Sequence, residues 1–260
     1  MNSKTQFYVE LSNQASKDIT ASVQSWMSFL STAARCSRYS YADQLMIHAQ
    51  HPGATACAEY EVWRDVMRRF VYKGEKGIAL IDYSGDYPRL RYVFDVSQTG
   101  SRADSRDVKL FTPEDVRLSD AKKRIAEAYG LRDMSLETTF VAAAGKITEE
   151  YWEEHGKEFL DIVAGSKIRG YDEIETEESF KNMVQNSVSY QLLERCTGDG
   201  KGFFNLSDFQ EIPFFNTRAT LTALGTAINT VAGEIFEEIS RAIKEHEKQT
   251  AQSAERSGYR

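Results

Sequence analysis

The sequence is poor in the residues that build disulfide scaffolds and metal sites. It contains three cysteines, Cys36, Cys57 and Cys196, which lie far apart and form no CxxC pair. An odd number at this spacing argues against a disulfide framework and a structural zinc site, and it fits the reducing cytoplasm. His48 and His51 are close in sequence, but surface histidines explain them better than a metal does. We expect no metal and no cofactor.

Three active-site motifs are also missing. The sequence has no GxxxxGK(S/T) phosphate-binding loop, no HExxH zinc-peptidase helix and no GxSxG nucleophile elbow. The glycine-rich stretch GDGKGFF at 198–204 has the wrong spacing for a phosphate-binding loop. Apolar runs are only a few residues long, so we expect no transmembrane helix and no signal peptide. These absences leave no enzyme assignment, and we expect a protein without catalytic activity.

The composition supports a folded chain with an uneven charge. Hydrophobic residues make up 41% and aromatic residues 12% of the 260 positions, which is enough for a core. The net charge is −7, but residues 1–110 carry 14 Lys and Arg against 12 Asp and Glu. Residues 111–260 carry 18 against 27. The front part is therefore the better candidate for contact with a polyanion.

The residue pattern of the N-terminal part of the chain predicts helices followed by strands. Residues 1–16 show no clear period and are predicted as a frayed lead-in. Apolar spacing predicts a helix over 18–40, Ser40 caps a second helix that ends at Gln50, and EYEVWRDVM predicts a third short helix. Strands are predicted at about 69–73, 78–83 and 90–96. This order predicts an α+β fold with helices packed on a small antiparallel sheet, followed by a mainly helical C-terminal region.

The remainder predicts a loop and then helices. SQTGSRADSR at 97–106 has the composition of a linker or long loop. Thr112 as a cap and Pro113 at the first helical position predict a helix that ends near Gly130. Further helices are predicted over 147–165, 176–196 and 217–247, although Gly225 and Gly233 weaken the last one. We divide the chain into an α+β domain (1–105), an acidic helical domain (106–248) and a disordered tail (249–260).

Basic groups, rings and amides alternate over residues 35–77. Single-stranded nucleic acid is bound by such a mixture, because cations follow the phosphates and rings accept unpaired bases at roughly 1–3 kcal/mol each. The alternative is that the rings are core and the arginines ordinary surface, and Trp63 in particular has a core-like position. The candidate nucleic-acid-binding residues are Arg35, Arg38, Tyr39, Tyr41, Gln44, Trp63, Arg64, Arg69, Lys73 and Lys76.

Several of these residues belong to motifs that resemble a known family. RYS, the helix QLMI, AQHPGA, the Trp of EVWRDV, VYKGEKGI and VFDVSQT together resemble the N-terminal domain of ArdC-type antirestriction proteins, also found in LtrC-like proteins of conjugative elements. The resemblance covers about residues 26–100. It implies a single-stranded DNA-binding domain that protects incoming DNA, with the KGEKG turn as a phosphate contact.

Two departures limit the resemblance. Asp43 stands where the family usually has Asn, and an acid near a DNA surface either repels phosphate or is hydrogen-bonded within the protein. The back part faintly resembles the late helices of the family's metallopeptidase-like domain, but HExxH is absent, so we expect neither peptidase activity nor zinc.

The sequence is also compatible with two other functions. The acidic helices predict, as an alternative, an inhibitor that binds a host defence nuclease in the manner of antirestriction or anti-CRISPR proteins. An enzyme with an unrecognised site is a third reading. The expected partners are single-stranded DNA and, alternatively, a host nuclease or the conjugation machinery, and no membrane.

Overall fold

The protein has an α+β fold in which helices dominate. The computed structural model describes residues 3–108 and 117–258. The helices are α1 Ser3–Thr20, α2 Val23–Arg35, α3 Tyr41–Gln50, α4 Leu118–Tyr129, α5 Leu136–Ile162, α6 Glu173–Thr197 and α7 Arg218–Gly258. The strands are β1 Cys57–Glu59, β2 Phe70–Val71, β3 Ile78–Asp82, β4 Arg89–Asp95 and β5 Thr99–Gly100. Among these described helices, none is long and apolar enough to cross a membrane.

The first helix corrects the prediction of a frayed lead-in. Helix α1 starts at Ser3, and its residues Ala15 and Ile19 are buried in the main hydrophobic core. Tyr8 and Leu11 pack against a smaller cluster beside the sheet. These four positions recur at three- and four-residue steps, but the polar residues between them mask the period. Burial of the apolar stripe therefore stabilises a helix that its polar composition does not suggest.

Serine caps start the next two helices. The Ser22 hydroxyl accepts a hydrogen bond from the Ser25 amide at 3.1 Å, so α2 begins at Val23 and the predicted helix over 18–40 is divided. The Ser40 hydroxyl accepts from the Asp43 amide at 3.3 Å, which confirms the predicted start of α3. Such caps satisfy amides that the first helical turn leaves without partners.

The strands form two small antiparallel units. The three-stranded sheet has the order β1-β4-β3, and the other unit is a ribbon of β2 and β5 in which Phe70 lies opposite Gly100. The side chain of Gln50 covers the free edge of β3. Its Nε2 donates to the Ala79 carbonyl at 2.8 Å, and its Oε1 accepts from the Ala79 backbone amide at 2.9 Å. Strands β1 and β5 were not predicted, since segments of two or three residues carry no alternating pattern.

One continuous hydrophobic core crosses the predicted domain boundary at residue 105. Trp26 on α2 is fully buried, and its Nε1 donates to the Ser187 hydroxyl on α6 at 3.1 Å. Gln44 on α3 donates to Asn229 Oδ1 on α7 at 2.8 Å. The boundary therefore marks a change from mixed structure to helices and not a break in the core. The predicted cap at Thr112 and Pro113 lies outside the described residues.

The C-terminal helices are longer than predicted. Helix α5 begins at Leu136 instead of 147, and α6 begins at Glu173 after a capping box of Asp172 and Glu175. Helix α7 continues to Gly258, so the prediction of a disordered tail is wrong for residues 249–258. Packing between the helices explains their lengths, because α5, α6 and α7 each contribute buried residues to the same core and this burial stabilises the additional turns.

Replacing each of the two glycines of α7, Gly225 and Gly233, by alanine is expected to change the stability of the protein in opposite directions. A Cβ at Gly225 would lie 2.2 Å from the Tyr41 ring, whereas a Cβ at Gly233 would meet no atom within 4 Å. We expect Gly225→Ala to lower the free energy of unfolding by about 1–3 kcal/mol through overpacking. Gly233→Ala should raise it by up to about 1 kcal/mol through helix propensity. Urea denaturation measures both, and equal stabilisation by the two variants would contradict the contact between Tyr41 and α7.

Candidate nucleic-acid interface

Three of the predicted binding residues are buried. Tyr41 is 5% exposed, and Gln44 and Trp63 are each 2% exposed. The Trp63 indole donates to the Phe94 carbonyl at 2.8 Å, and Gln44 joins α3 to α7. Burial also raises the pKa of Tyr41. These residues cannot contact a ligand in this fold, so their assignment to the interface is corrected to a packing role.

Arg35 and Tyr39 hold the segment that leads into β1. Arg35 Nη2 donates to the Pro52 carbonyl at 2.7 Å, and its Nε donates to the Ala54 carbonyl at 2.9 Å. The Tyr39 hydroxyl donates to the Cys57 carbonyl at 2.8 Å. Both side chains are half-buried. Their donors are used within the protein, so they are positioning residues for the loop between α3 and β1 and weak candidates for a ligand contact.

Arg64 and Arg69 also bind partners within the chain. Arg69 Nε donates to the Thr99 hydroxyl at 2.9 Å and ties the two strands of the β2–β5 ribbon together. Arg64 is exposed and forms a bidentate pair with Asp65, with both N–O distances at 2.7 Å. Its guanidinium lies 5.5 Å from the centre of the exposed Tyr60 ring. Arg64 is available to solvent, but its charge is locally neutralised.

Arg38, Lys73 and Lys76 are the predicted cations that are exposed and form no ion pair with another described residue. The KGEKG turn that carries the lysines has a fixed shape. Gly74 has φ 94, a left-handed conformation that favours glycine, and Gln98 Nε2 donates to the Lys76 carbonyl at 3.0 Å. The turn therefore presents its two ammonium groups from a defined backbone.

The structure adds Phe70 and Arg102, which the sequence did not single out, and Tyr72, which belongs to the predicted mixture over 35–77 but not to its candidate list. Phe70 and Tyr72 are 37% and 47% exposed, and their rings form an edge-to-face pair with centroids 5.5 Å apart. The Arg102 guanidinium lies 5.7 Å from the Phe70 centroid. We call Phe70, Tyr72, Lys73, Lys76 and Arg102 the ribbon surface. The alternation in FVYK was a usable signal for the two rings, but nothing in the sequence brings Arg102 to them.

The predicted linker brings Arg102 to this position because it is tied to the segment that leads into β2. The Ser105 hydroxyl accepts from the Arg102 amide at 2.6 Å and donates to the Arg68 carbonyl at 2.6 Å. The Arg106 amide donates to the Met67 carbonyl at 2.9 Å. At least over 101–106, the segment is therefore a loop folded back on the ribbon.

No protein-family model, curated protein or solved structure matches this chain. The resemblance to the ArdC-type domain therefore remains an expectation based on its motifs.

The VFDVSQT motif has a structural role centred on Asp95. This carboxylate is 1% exposed and accepts from the amides of Thr55 at 2.7 Å, Ala56 at 2.9 Å and Ser97 at 3.0 Å. The Ser97 hydroxyl adds a fourth hydrogen bond at 2.6 Å. Burial alone would raise the pKa of Asp95, but the hydrogen bonds from Ser97, Thr55 and Ala56 outweigh it and hold the pKa below its usual value. Asp95 thus ties the segment before β1 to the turn after β4, at the end of the sheet where these two strands meet.

Asp43, the departure from the family pattern, is engaged within the protein. Its Oδ2 accepts from Arg91 Nη2 at 2.6 Å and from the Ser40 hydroxyl at 3.0 Å. The acid is half-buried. It therefore joins α3 to β4, and its charge is compensated by Arg91.

A separate acidic surface lies where α5 meets α7. Glu234 on α7 is close enough to three other carboxylates, Glu150 and Glu154 on α5 and Glu237 on α7, for their charges to act on it. Burial, and then these charges, raise the pKa of Glu234. Within the described ranges, no three His, Cys, Asp or Glu side chains are placed to hold a metal ion.

Proposed function

We propose that the protein binds single-stranded DNA through the ribbon surface, in the setting of a mobile genetic element whose transferred DNA it protects or handles. The observation that carries the proposal is the exposed Phe70–Tyr72 ring pair with Arg102 over it and the lysines of the KGEKG turn beside it. The mobile-element setting rests on the motif resemblance over residues 26–100.

The charges around the ribbon surface favour an anion. Of the nearby carboxylates, Asp104 is paired with Arg68 at 3.2 Å, and Glu75 accepts from Gln98 Nε2 at 2.8 Å. No such pair engages Lys73, Lys76 or Arg102 among the described side chains. Cations beside two exposed rings match the phosphates and bases of an unpaired strand.

Single strands fit this surface better than duplex does. Stacking on Tyr72 needs the face of a base, which a duplex covers with neighbouring bases. Reading a duplex in the major groove usually needs an exposed helix with cationic residues. Helix α3 has none on its YADQLMIHAQ sequence apart from His48, which is half-buried. We therefore expect little sequence preference and a preference for single strands.

Charge reversal in the turn tests the proposal. We expect Lys73→Glu with Lys76→Glu to weaken binding of a fluorescent oligothymidylate by about tenfold or more, because two phosphate contacts become repulsive. The melting temperature should stay close to that of the parent, since exposed turn charges contribute little to stability.

The matched control is Lys157→Glu with Lys201→Glu. Both lysines are exposed, and the double variant has the same net charge, but neither residue belongs to the ribbon surface. It should retain parental affinity within about twofold at physiological salt, where distant charges are screened. If both double variants lose affinity equally, binding depends on net charge and not on the turn.

A second candidate function is supported by the acidic surface between α5 and α7. A cluster of carboxylates resembles the charge of DNA and suits a basic protein such as a host defence nuclease. An inhibitor of this kind would bind the nuclease and leave oligonucleotides unbound. Glu150→Gln with Glu154→Gln would then abolish inhibition, whereas under the main proposal it leaves oligonucleotide affinity unchanged or slightly higher.

A further inference from the structure

The predicted cation Arg64 is exposed, but an acid neutralises its charge. Its Nε and Nη2 donate to the two carboxylate oxygens of Asp65 at 2.7 Å each. A bidentate pair lies in the plane of the guanidinium, so Asp65 occupies the edge of this plane and leaves its faces. Because the two charges cancel locally, Arg64 attracts a phosphate only weakly, whereas its flat guanidinium still stacks on other planar groups.

The ring of Tyr60 lies next to this guanidinium. The guanidinium carbon of Arg64 is 5.5 Å from the centre of the Tyr60 ring, and Tyr60 is 43% exposed. The Arg64 side chain is still 52% exposed, although Asp65 and Tyr60 both approach it. Tyr60 and Arg64 are therefore a ring and a flat cation with room for one more planar group. Aromatic rings and arginine guanidinium planes are the groups on which proteins stack unpaired bases.

Buried contacts hold the two side chains in place. Tyr60 precedes the π-helical turn Val62–Val66, in which Trp63 is 2% exposed and donates to the Phe94 carbonyl at 2.8 Å. The Tyr60 ring meets the Phe94 ring edge to face, with centroids 6.4 Å apart. Trp63 and Phe94 thus fix this segment on β4, while Tyr60 and Arg64 remain exposed.

Phe94 also joins this pair of side chains to the ribbon surface. A Cβ at Gly77, the last residue of the KGEKG turn, would lie 3.1 Å from Phe94 Cζ. The same ring therefore lies against both Tyr60 and the turn that carries the two lysines. The Arg69 amide, directly before β2, donates to the Trp63 carbonyl at 2.8 Å. The π-helical turn is thus continuous with the β2–β5 ribbon, and one strand of nucleic acid can contact both.

We propose that Tyr60 and Arg64 form a second stacking position for the single strand that the ribbon surface binds. In this position Arg64 acts as a flat group against an unpaired base and not as a phosphate contact. The inference rests on the proposed function and specifies its ligand further, as a strand with unpaired bases over both positions. The cations of the ribbon surface supply the phosphate contacts, because their charges are not paired with an acid among the described residues.

Arg64→Lys separates stacking from charge, because lysine keeps the positive charge and loses the flat group. We expect the full-length variant to bind oligothymidylate about fivefold more weakly than the parent, which is at the low end of the effect of one stacked base. The dependence of affinity on salt should equal that of the parent, since no phosphate contact is lost. Fluorescence polarisation at two salt concentrations measures both quantities.

Three further variants control for this result. Tyr60→Ala removes the ring beside the guanidinium and should cause a similar loss, whereas Tyr60→Phe keeps the ring and should bind as the parent does. Arg241 is an exposed arginine on α7 that is paired with Glu237 at 3.7 Å, so Arg241→Lys makes the same chemical change away from the ribbon surface. Its affinity should stay within about twofold of the parent. Circular dichroism shows that each variant is folded, as expected for changes at exposed side chains.

The outcomes separate this inference from the proposed function. If the parent binds oligothymidylate and Arg64→Lys binds equally well, the second stacking position is wrong and the ribbon surface remains the site. If Arg64→Ala lowers the salt dependence by about one phosphate contact and lysine restores it, Arg64 is a phosphate contact and the inference is also wrong. A parent that does not bind oligothymidylate overturns the proposed function and this inference together.

Discussion

Replacing Asp95 by alanine is expected to cause the largest loss of stability among single substitutions in the sheet region. The variant leaves the amides of Thr55, Ala56 and Ser97 without their acceptor. With the Ser97 hydroxyl, four part-buried hydrogen bonds are lost, and at about 1 kcal/mol each we expect the free energy of unfolding to fall by roughly 3–5 kcal/mol. Urea denaturation followed by circular dichroism measures this difference. Asp104→Ala, which removes an exposed carboxylate paired with Arg68, should change stability by less than about 1 kcal/mol.

The pH dependence gives a second signature of Asp95. Its pKa is depressed in the folded protein, so its contribution is fully present above the pKa of an unfolded aspartate, about 3.9. The contribution is lost as the pH falls through the folded value. Asp95→Asn does not titrate, so the stability gap between the parent and this variant should narrow below about pH 4. A gap that is constant with pH would show that the carboxylate charge has no role.

Tyr72→Ala is expected to have the largest effect on binding among single substitutions. Its ring is exposed and contacts Phe70 at its edge, so its loss removes a stacking surface. Base stacking contributes about 1–3 kcal/mol per base, which predicts a loss of roughly five- to 150-fold in affinity for oligothymidylate. Fluorescence polarisation measures the loss. The melting temperature should change little, since truncation of an exposed side chain is usually close to neutral.

Two variants control for this result. Tyr72→Phe keeps the ring and should keep most of the affinity. Tyr87 is 73% exposed in the turn between β3 and β4, away from the ribbon surface, and Tyr87→Ala should bind as the parent does. If Tyr72→Ala also binds as the parent does, stacking at the ribbon is not part of binding.

The sequence predicted those structural features that depend on residues close together in the chain. The Ser40 cap, the antiparallel sheet and the helical C-terminal region follow from side-chain types within a few residues of each other. Helix α1 and the start of α5 were missed because their apolar stripes are stabilised by distant partners in the core. Short strands such as β5 depend on pairing that no local pattern records.

The candidate site was predicted less well because residue type does not determine burial. Aromatic and amide residues suit both a DNA surface and a hydrophobic core. Tyr41, Gln44 and Trp63 were predicted to lie at a DNA surface, but they are buried. The KGEKG lysines are exposed, as a binding role requires, because they lie in a surface turn that connects β2 to β3, two strands of different sheets. Arg102 joins the site through a loop whose hydrogen bonds to Arg68 are not visible in the sequence. Contacts between residues far apart in sequence therefore determine which side chains form the ribbon surface.

The most direct test of the account is a polarisation titration of one labelled single strand and its duplex at two salt concentrations. We predict tighter binding of the single strand. If about three phosphates are contacted, its affinity should fall roughly 20-fold between about 50 and 200 mM salt. Lack of binding at the lower salt concentration, or a preference for the duplex, would contradict the claim that the ribbon surface binds unpaired DNA.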